Sequence, residues 1–206
     1  MALSTIGLLT IGAIPTVIGV AEAIDAQKKQ NQQAKERIKF HLTAKFSHDG
    51  TAEPQTAYVV LKDGKLYLDH PNSPVEGFRF NGFYFGFPCP EEHQGLVAPK
   101  AADPPMLHWI FVDKDTGLLR HGSRNDTIDH LIGPWSWTED EEFLTLENSR
   151  ECFVGILNED GTWCVHYDKE DDLEERLDPC DIVNIELHRE LQLGVASRMV
   201  KGDGSS

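Results

Sequence analysis

Three times along this 206-residue chain, two strand-like runs face each other across a short turn that ends in glycine. Residues 58–61 and 65–68 flank Asp63-Gly64. Residues 109–112 and 118–119 flank Asp115-Thr116-Gly117, and residues 153–157 and 162–167 flank Asn158-Glu159-Asp160-Gly161. Hairpin turns need positive φ, which glycine adopts without steric cost, so each set predicts a β-hairpin. A chain punctuated this way is committed to antiparallel pairing between sequence neighbours.

The segments around the hairpins agree. Residues 38–46 alternate strictly, with Ile38, Phe40, Leu42, Ala44 and Phe46 on one face and Lys39, His41, Thr43 and Lys45 on the other, the period of a half-buried strand. Residues 78–87 predict an aromatic strand pair or one bent strand. Residues 182–193 predict a last strand in which Arg189 is the one break in an otherwise apolar alternation. The fold class expected is mainly β (α+β overall): a small antiparallel β-barrel or sandwich built from hairpins, with an N-terminal apolar or amphipathic helix. Residues 1–37 form the helix and a basic stalk, residues 38–193 the β domain, and residues 194–206 a polar tail expected to be disordered. No internal repeat is visible beyond the hairpin chemistry.

The formal charge of −15 is unevenly spread. Residues 28–45 carry six basic groups against Glu36 alone, a net of +5, whereas the 161 residues that follow carry −18. An acidic body of this kind repels polyanions, which argues against a nucleic-acid partner. Ahead of the basic collar, residues 2–21 contain no charged side chain. Twenty residues span about 30 Å as a helix, the thickness of a bilayer core. Three readings remain open for this head. As a membrane anchor, its C-terminal collar would hold the β domain in the cytoplasm. As a signal peptide, it would be cleaved at Ala21-Glu22-Ala23, and Asn125-Asp126-Thr127 would then be a glycosylation site for a secreted protein. As a buried helix, it would pack against the body, a partner protein or a second copy in a soluble cytoplasmic protein.

Chemistry-bearing motifs are few. Cys89, Cys152, Cys164 and Cys180 lack CxxC spacing, so no metal site is expected, and Cys89-x₃-His93 has no second ligand pair to complete it. In the third hairpin, a four-residue loop would set Cys164 opposite Gly155, on the sheet face away from Cys152, so no disulfide between them is expected unless a bulge shifts the register. Residues 113–117 open like a calcium loop but place glycine at position 5 and Arg124 at position 12, so a turn explains them better. The run Asp168–Asp181 reads as a solvated acidic loop. No phosphate-cradling loop or dinucleotide fingerprint occurs, and no cofactor is expected. The densest polar stretch, 121–130, reads as a capped loop with a short helix. It supplies His121, Asp126 and His130, which with His108 are the weak catalytic candidates for acid–base work. Phe83, Phe85, Trp109 and Trp135 are the candidates to wall an apolar ligand site.

The successions Phe83-Tyr84-Phe85, Phe87-Pro88-Cys89-Pro90, residues 104–113 from Pro104-Pro105 to Val112-Asp113, and Gly133-Pro134-Trp135 resemble a group of small uncharacterised proteins of filamentous ascomycete fungi. The likeness covers roughly residues 10–190. It implies a fungal source and carries no activity. The function expected from the residues is binding, of a protein partner or a small apolar ligand, by a membrane-tethered β domain. The rivals are a barrel-fold isomerase or hydrolase using a His/Asp pair, and a secreted protein.

Overall fold

The computed structural model describes residues 14–47, 53–89, 93–100, 106–177 and 181–196, with side chains between 24 and 192. The chain divides into two units, Met1–Glu36 and Arg37–Ser206. In the first, helix α1 (Ile14–Glu36) runs through the Ala-, Gln- and Lys-rich stretch whose residues favour helix. Pro15 sits in its first turn, where a missing N–H costs no hydrogen bond. No helix among the described residues is long and apolar enough to cross a membrane. Much of the expected apolar head, residues 1–13, lies outside the described residues.

The second unit is almost entirely antiparallel β structure. β1 (Ile38–Phe46), β2 (Gln55–Lys62), β3 (Lys65–Asp69) and β4 (Phe78–Arg79) come first. β5 (Phe83–Gly86), β6 (Gln94–Pro99), β7 (Leu107–Val112) and β8 (Leu119–Gly122) follow, and a 3₁₀ turn (Arg124–Thr127) leads out of them. The last third holds β9 (Trp135–Trp137), β10 (Leu144–Leu146), β11 (Phe153–Leu157), β12 (Trp163–Tyr167), the short helix α2 (Leu173–Arg176), β13 (Ile182–Asn184) and β14 (His188–Ala196). One curled sheet runs β13-β11-β12-β3-β8-β7-β6-β5, with β2 and β1 branching from β3 and β14 pairing on β1. β9 and β10 form a separate ribbon.

The three predicted hairpins are β2–β3, β7–β8 and β11–β12. Their turn glycines Gly64, Gly117 and Gly161 have φ of 78°, 71° and 80°. Each turn is also tied to a neighbouring hairpin through its glycine carbonyl. Gly64 O accepts from His121 N at 3.0 Å and Gly117 O from Tyr167 N at 2.8 Å. Gly161 O accepts from the Ser73 hydroxyl. The second strands β3, β8 and β12 accordingly meet one another pairwise: Lys65 pairs Arg120, Leu68 pairs Trp163, and Leu118 bridges His166. The result is a pseudo-threefold closure that the sequence does not display as a repeat. The core inside it is a single cluster in which Phe40, Leu42, Leu66, Leu68, Phe80, Trp135, Phe153 and Trp163 are almost fully buried.

Four expectations are corrected. The third turn takes in Thr162, whose carbonyl accepts from Asn158 N at 2.8 Å, so Leu157 faces Trp163 and Cys164 faces Ile156. The slip does not bring the two cysteines together: Cys152 packs against the core cluster that takes Trp163 and Val165 from β12, whereas Cys164, between those two residues, lies outside that cluster on the other face of the strand. Both thiols are free. The run 182–193 is two strands, because Asn184–Leu187 leaves β11 and crosses to β1. Ile185 N still donates to Phe153 O at 3.0 Å, while Leu187 O accepts from Leu144 N at 2.8 Å. β14 extends to Ala196, past residue 193, and residues 197–206 of the expected tail lie outside the described residues. Finally, the aromatic stretch 78–87 is neither one bent strand nor a strand pair but two separate strands, β4 pairing β2 and β5 pairing β6.

Candidate functional site

The candidate histidines come together only in part. His108 on β7 and His121 on β8 are buried, with Nδ1 atoms 2.9 Å apart, one ring donating to the other. Burial lowers the pKa of both, and for His121, which also faces His108, it falls to about 4. The pair is therefore neutral at physiological pH. Asp126 does not complete a dyad with it. Its Oδ2 accepts from Ser123 N and Ser123 Oγ at 2.8 Å each, closing a capping box on the 3₁₀ turn. Gly122 makes room for that carboxylate, since a Cβ there would lie 2.7 Å from Asp126 Oδ2. His130 is stacked on Phe111 at 5.2 Å and accepts from Lys114 N at 3.4 Å. Asn125 is exposed on the same turn.

The four aromatic candidates separate by depth. Phe83 and Trp135 are core residues, each at most 1% exposed, with Trp135 stacked on Phe153. Phe85 and Trp109 lie nearer the surface with ring centroids 6.0 Å apart, and Phe87 meets Trp109 edge-on at 4.9 Å. Gly95 forms the floor beneath Trp109, because a Cβ there would fall 2.5 Å from the indole.

A cleft of about 540 Å³ lies elsewhere, and the sequence gives no sign of it. Thr43 and Lys45 on the outward-facing side of β1 form one wall. Asn184, Ile185 and Glu186, the residues that carry the chain from β13 toward β14, form the opposite one. Phe143, Glu151 and His188 complete the lining. Phe143 is held edge-on by His188 at 5.1 Å and covered by the Arg150 guanidinium at 5.0 Å. Arg150 Nε also pairs Glu186 Oε1 at 3.1 Å, which neutralises that carboxylate. The remaining formal charges, Lys45 and Glu151, balance. Beneath this region Arg189 points inward among Phe40, Trp137 and Tyr84, and its Nη1 donates to Glu141 O at 3.0 Å. A second cleft of about 220 Å³ borders α2. Two of its polar side chains are engaged, Asp168 capping α2 through Asp172 N and Leu173 N and Arg176 reaching Asp115 O at 2.8 Å.

None of His108, His121 and His130 lines either cleft. Among the described residues no three His, Cys, Asp or Glu side chains converge as metal ligands. A family model described as "Fungal beta-trefoil domain" matches residues 19–193 of the chain. No curated protein and no solved structure matches it.

Proposed function

We propose, on the premise that the chain belongs to the fungal β-trefoil domain family, that its β domain is a binding module for a small neutral, hydroxyl-bearing ligand held in the larger cleft. The composition of that cleft carries the reading. Asn184, Glu151 and Lys45 offer donors and acceptors to vicinal hydroxyls and Phe143 offers an apolar face for the C–H side of the same molecule, backed by the buried Thr43 and Ile185. Balanced charge disfavours an ionic ligand, and the polar walls disfavour the purely apolar ligand expected from the sequence. A volume of about 540 Å³ suits a ligand of one or two rings. The enzyme reading lacks support at its named residues, because the neutral histidine pair and the capping carboxylate of Asp126 are both committed to local structure.

Titration of the full chain with a panel of neutral mono- and disaccharides, followed by amide NMR, tests this. Saturable shifts at Thr43, Lys45, Asn184 and Glu186 are expected. Lys45→Ala is expected to weaken binding by about tenfold, equivalent to ~1.4 kcal/mol. Saturable shifts confined to other surfaces, or affinities unchanged in Lys45→Ala and Asn184→Ala, would refute the assignment.

A further inference from the structure

The loop joining β5 to β6 carries a thiol and an imidazole that the cleft does not use. Its ends are tied by Phe87 N donating to His93 O at 3.0 Å, which brings Cys89 Sγ to 3.5 Å from His93 Nδ1. The imidazole is held on two sides. It stacks on Phe87 with an interplanar angle of 8°, and a Cβ on Gly133 would lie 2.9 Å from its Cδ2. Its Nε2 is buried and finds no partner among the described residues. Arg124 braces the same loop, lying over Phe87 at 5.9 Å and donating to the carbonyl of Pro88, the residue before Cys89, at 3.1 Å. Cys89 is half-buried and so open to small reagents. An imidazole held within reach as a base is what makes a cysteine nucleophilic.

The other described cysteines lack this arrangement. Cys164 is buried, which raises its pKa, and it accepts from Asn158 Nδ2 at 3.1 Å. Cys152 has the Ser149 hydroxyl at 3.0 Å.

We propose that Cys89 and His93 form a nucleophilic thiol–imidazole pair that makes this loop a site of reversible S-thiolation by low-molecular-weight disulfides. His93 Nδ1 takes the proton from the Cys89 thiol as Sγ attacks one sulfur of the disulfide. The protein–S–S bond forms, the original S–S bond breaks, and the departing thiolate takes the proton from the imidazole. One disulfide and one protein thiol become one mixed disulfide and one free thiol, with no other oxidant required. The step is independent of ligand binding in the cleft.

The test uses the reduced full chain and dithiobis(nitrobenzoate) below one equivalent, with the modified cysteine located by peptide mass. The first equivalent is expected on Cys89, about tenfold faster than on the next thiol, Cys180 included. His93→Gly is expected to slow Cys89 to the rate of the remaining thiols. Added imidazole is expected to restore the rate by filling the space between Phe87 and Gly133. Cys89→Ser, which leaves the imidazole in place, is expected to abolish the fast phase. A first equivalent on any other cysteine, an unchanged rate in His93→Gly, failure of imidazole to restore it, or a fast phase surviving in Cys89→Ser overturns the proposal.

Discussion

Arg189 holds a position that its neighbours in β14 mark as core, and the energetics of that choice are nearly balanced. Its guanidinium lies 4.7 Å from the Phe40 ring, 4.9 Å from Trp137 and 5.3 Å from Tyr84. Desolvated cation–π contacts contribute about 2 kcal/mol. Against them stand burial, which lowers the Arg189 pKa, and a buried Nε with no partner among the described residues, an omission that costs roughly 1–3 kcal/mol. Replacing the charge by a side chain of similar shape therefore changes little, whereas removing the volume does not. Arg189→Met is expected to cost under about 1 kcal/mol, and Arg189→Ala about 3 kcal/mol through the cavity it leaves. Urea midpoints measure both. Equal losses in the two variants would show that the guanidinium attraction outweighs its desolvation. In the sequence Arg189 reads as the interruption of an alternating strand. In the structure it keeps the alternation, inward with Leu187 and buried, because aromatic faces from three other strands accept it. Those faces come from positions 40, 84 and 137, and no local pattern connects them to residue 189.

The hairpin turns show the opposite case, where local chemistry was enough. Asp-Gly and related turns set the φ signs that hairpins require, so β2–β3, β7–β8 and β11–β12 were legible from a few residues each. Their glycines are not equivalent in what surrounds them. A Cβ on Gly117 would lie 2.9 Å from Tyr167 O, on Gly64 no nearer than 3.8 Å from His121 O, and on Gly161 nothing stands within 4 Å. All three substitutions incur the left-handed backbone penalty of about 1–2 kcal/mol. Only Gly117→Ala also presses on backbone that carries an inter-hairpin hydrogen bond. The expected order of destabilisation is Gly117→Ala above Gly64→Ala and Gly161→Ala, the last two similar, read from thermal midpoints. A larger loss in Gly161→Ala than in Gly117→Ala would contradict the role given to the carbonyl contacts. Elements without turn signals were not legible. β6 is bounded by residues 90–93 and Pro99 and contains Gly95, so it lacks a clean period, and β9–β10 are three residues each. The larger cleft was hidden for a further reason: it is assembled from residues 43, 45, 143, 151, 184–186 and 188, which meet only in three dimensions.

At the scale of the molecule, the three second strands close against one another, and histidines are buried where they do so. His121 lies on β8 and His166 on β12, where it bridges Leu118, while His108 pairs with His121 from β7. Burial holds His121 and His166 at about 4, and it lowers His108 as well. In the unfolded chain these groups titrate near the ordinary value of about 6.5. Between those limits the unfolded state binds more protons than the folded one, so folding stability rises with pH across the window. The contribution is fully present above about pH 6.5, is lost progressively as pH falls to about 4, and stops changing below that. For His121 and His166 together it is on the order of several kcal/mol. A separate loss belongs to carboxylates such as Asp126, Asp140 and Asp160, whose hydrogen bonds from Ser123, Thr138 and Thr162 hold their pKa values below the ordinary range. These weaken the fold only as pH drops through and below the usual carboxylate range. Urea midpoints taken from pH 7.5 to pH 4 are therefore expected to fall steadily below pH 6.5, before the carboxylates titrate. His166→Gln removes the titrating ring and keeps a polar side chain next to the Cys164 backbone, with which the ring hydrogen-bonds. The variant is expected to flatten that fall while lowering the plateau above pH 7 only modestly. A wild-type profile flat between pH 6.5 and pH 5 would show that the threefold junction stays closed around charged histidines, contrary to the burial that defines it.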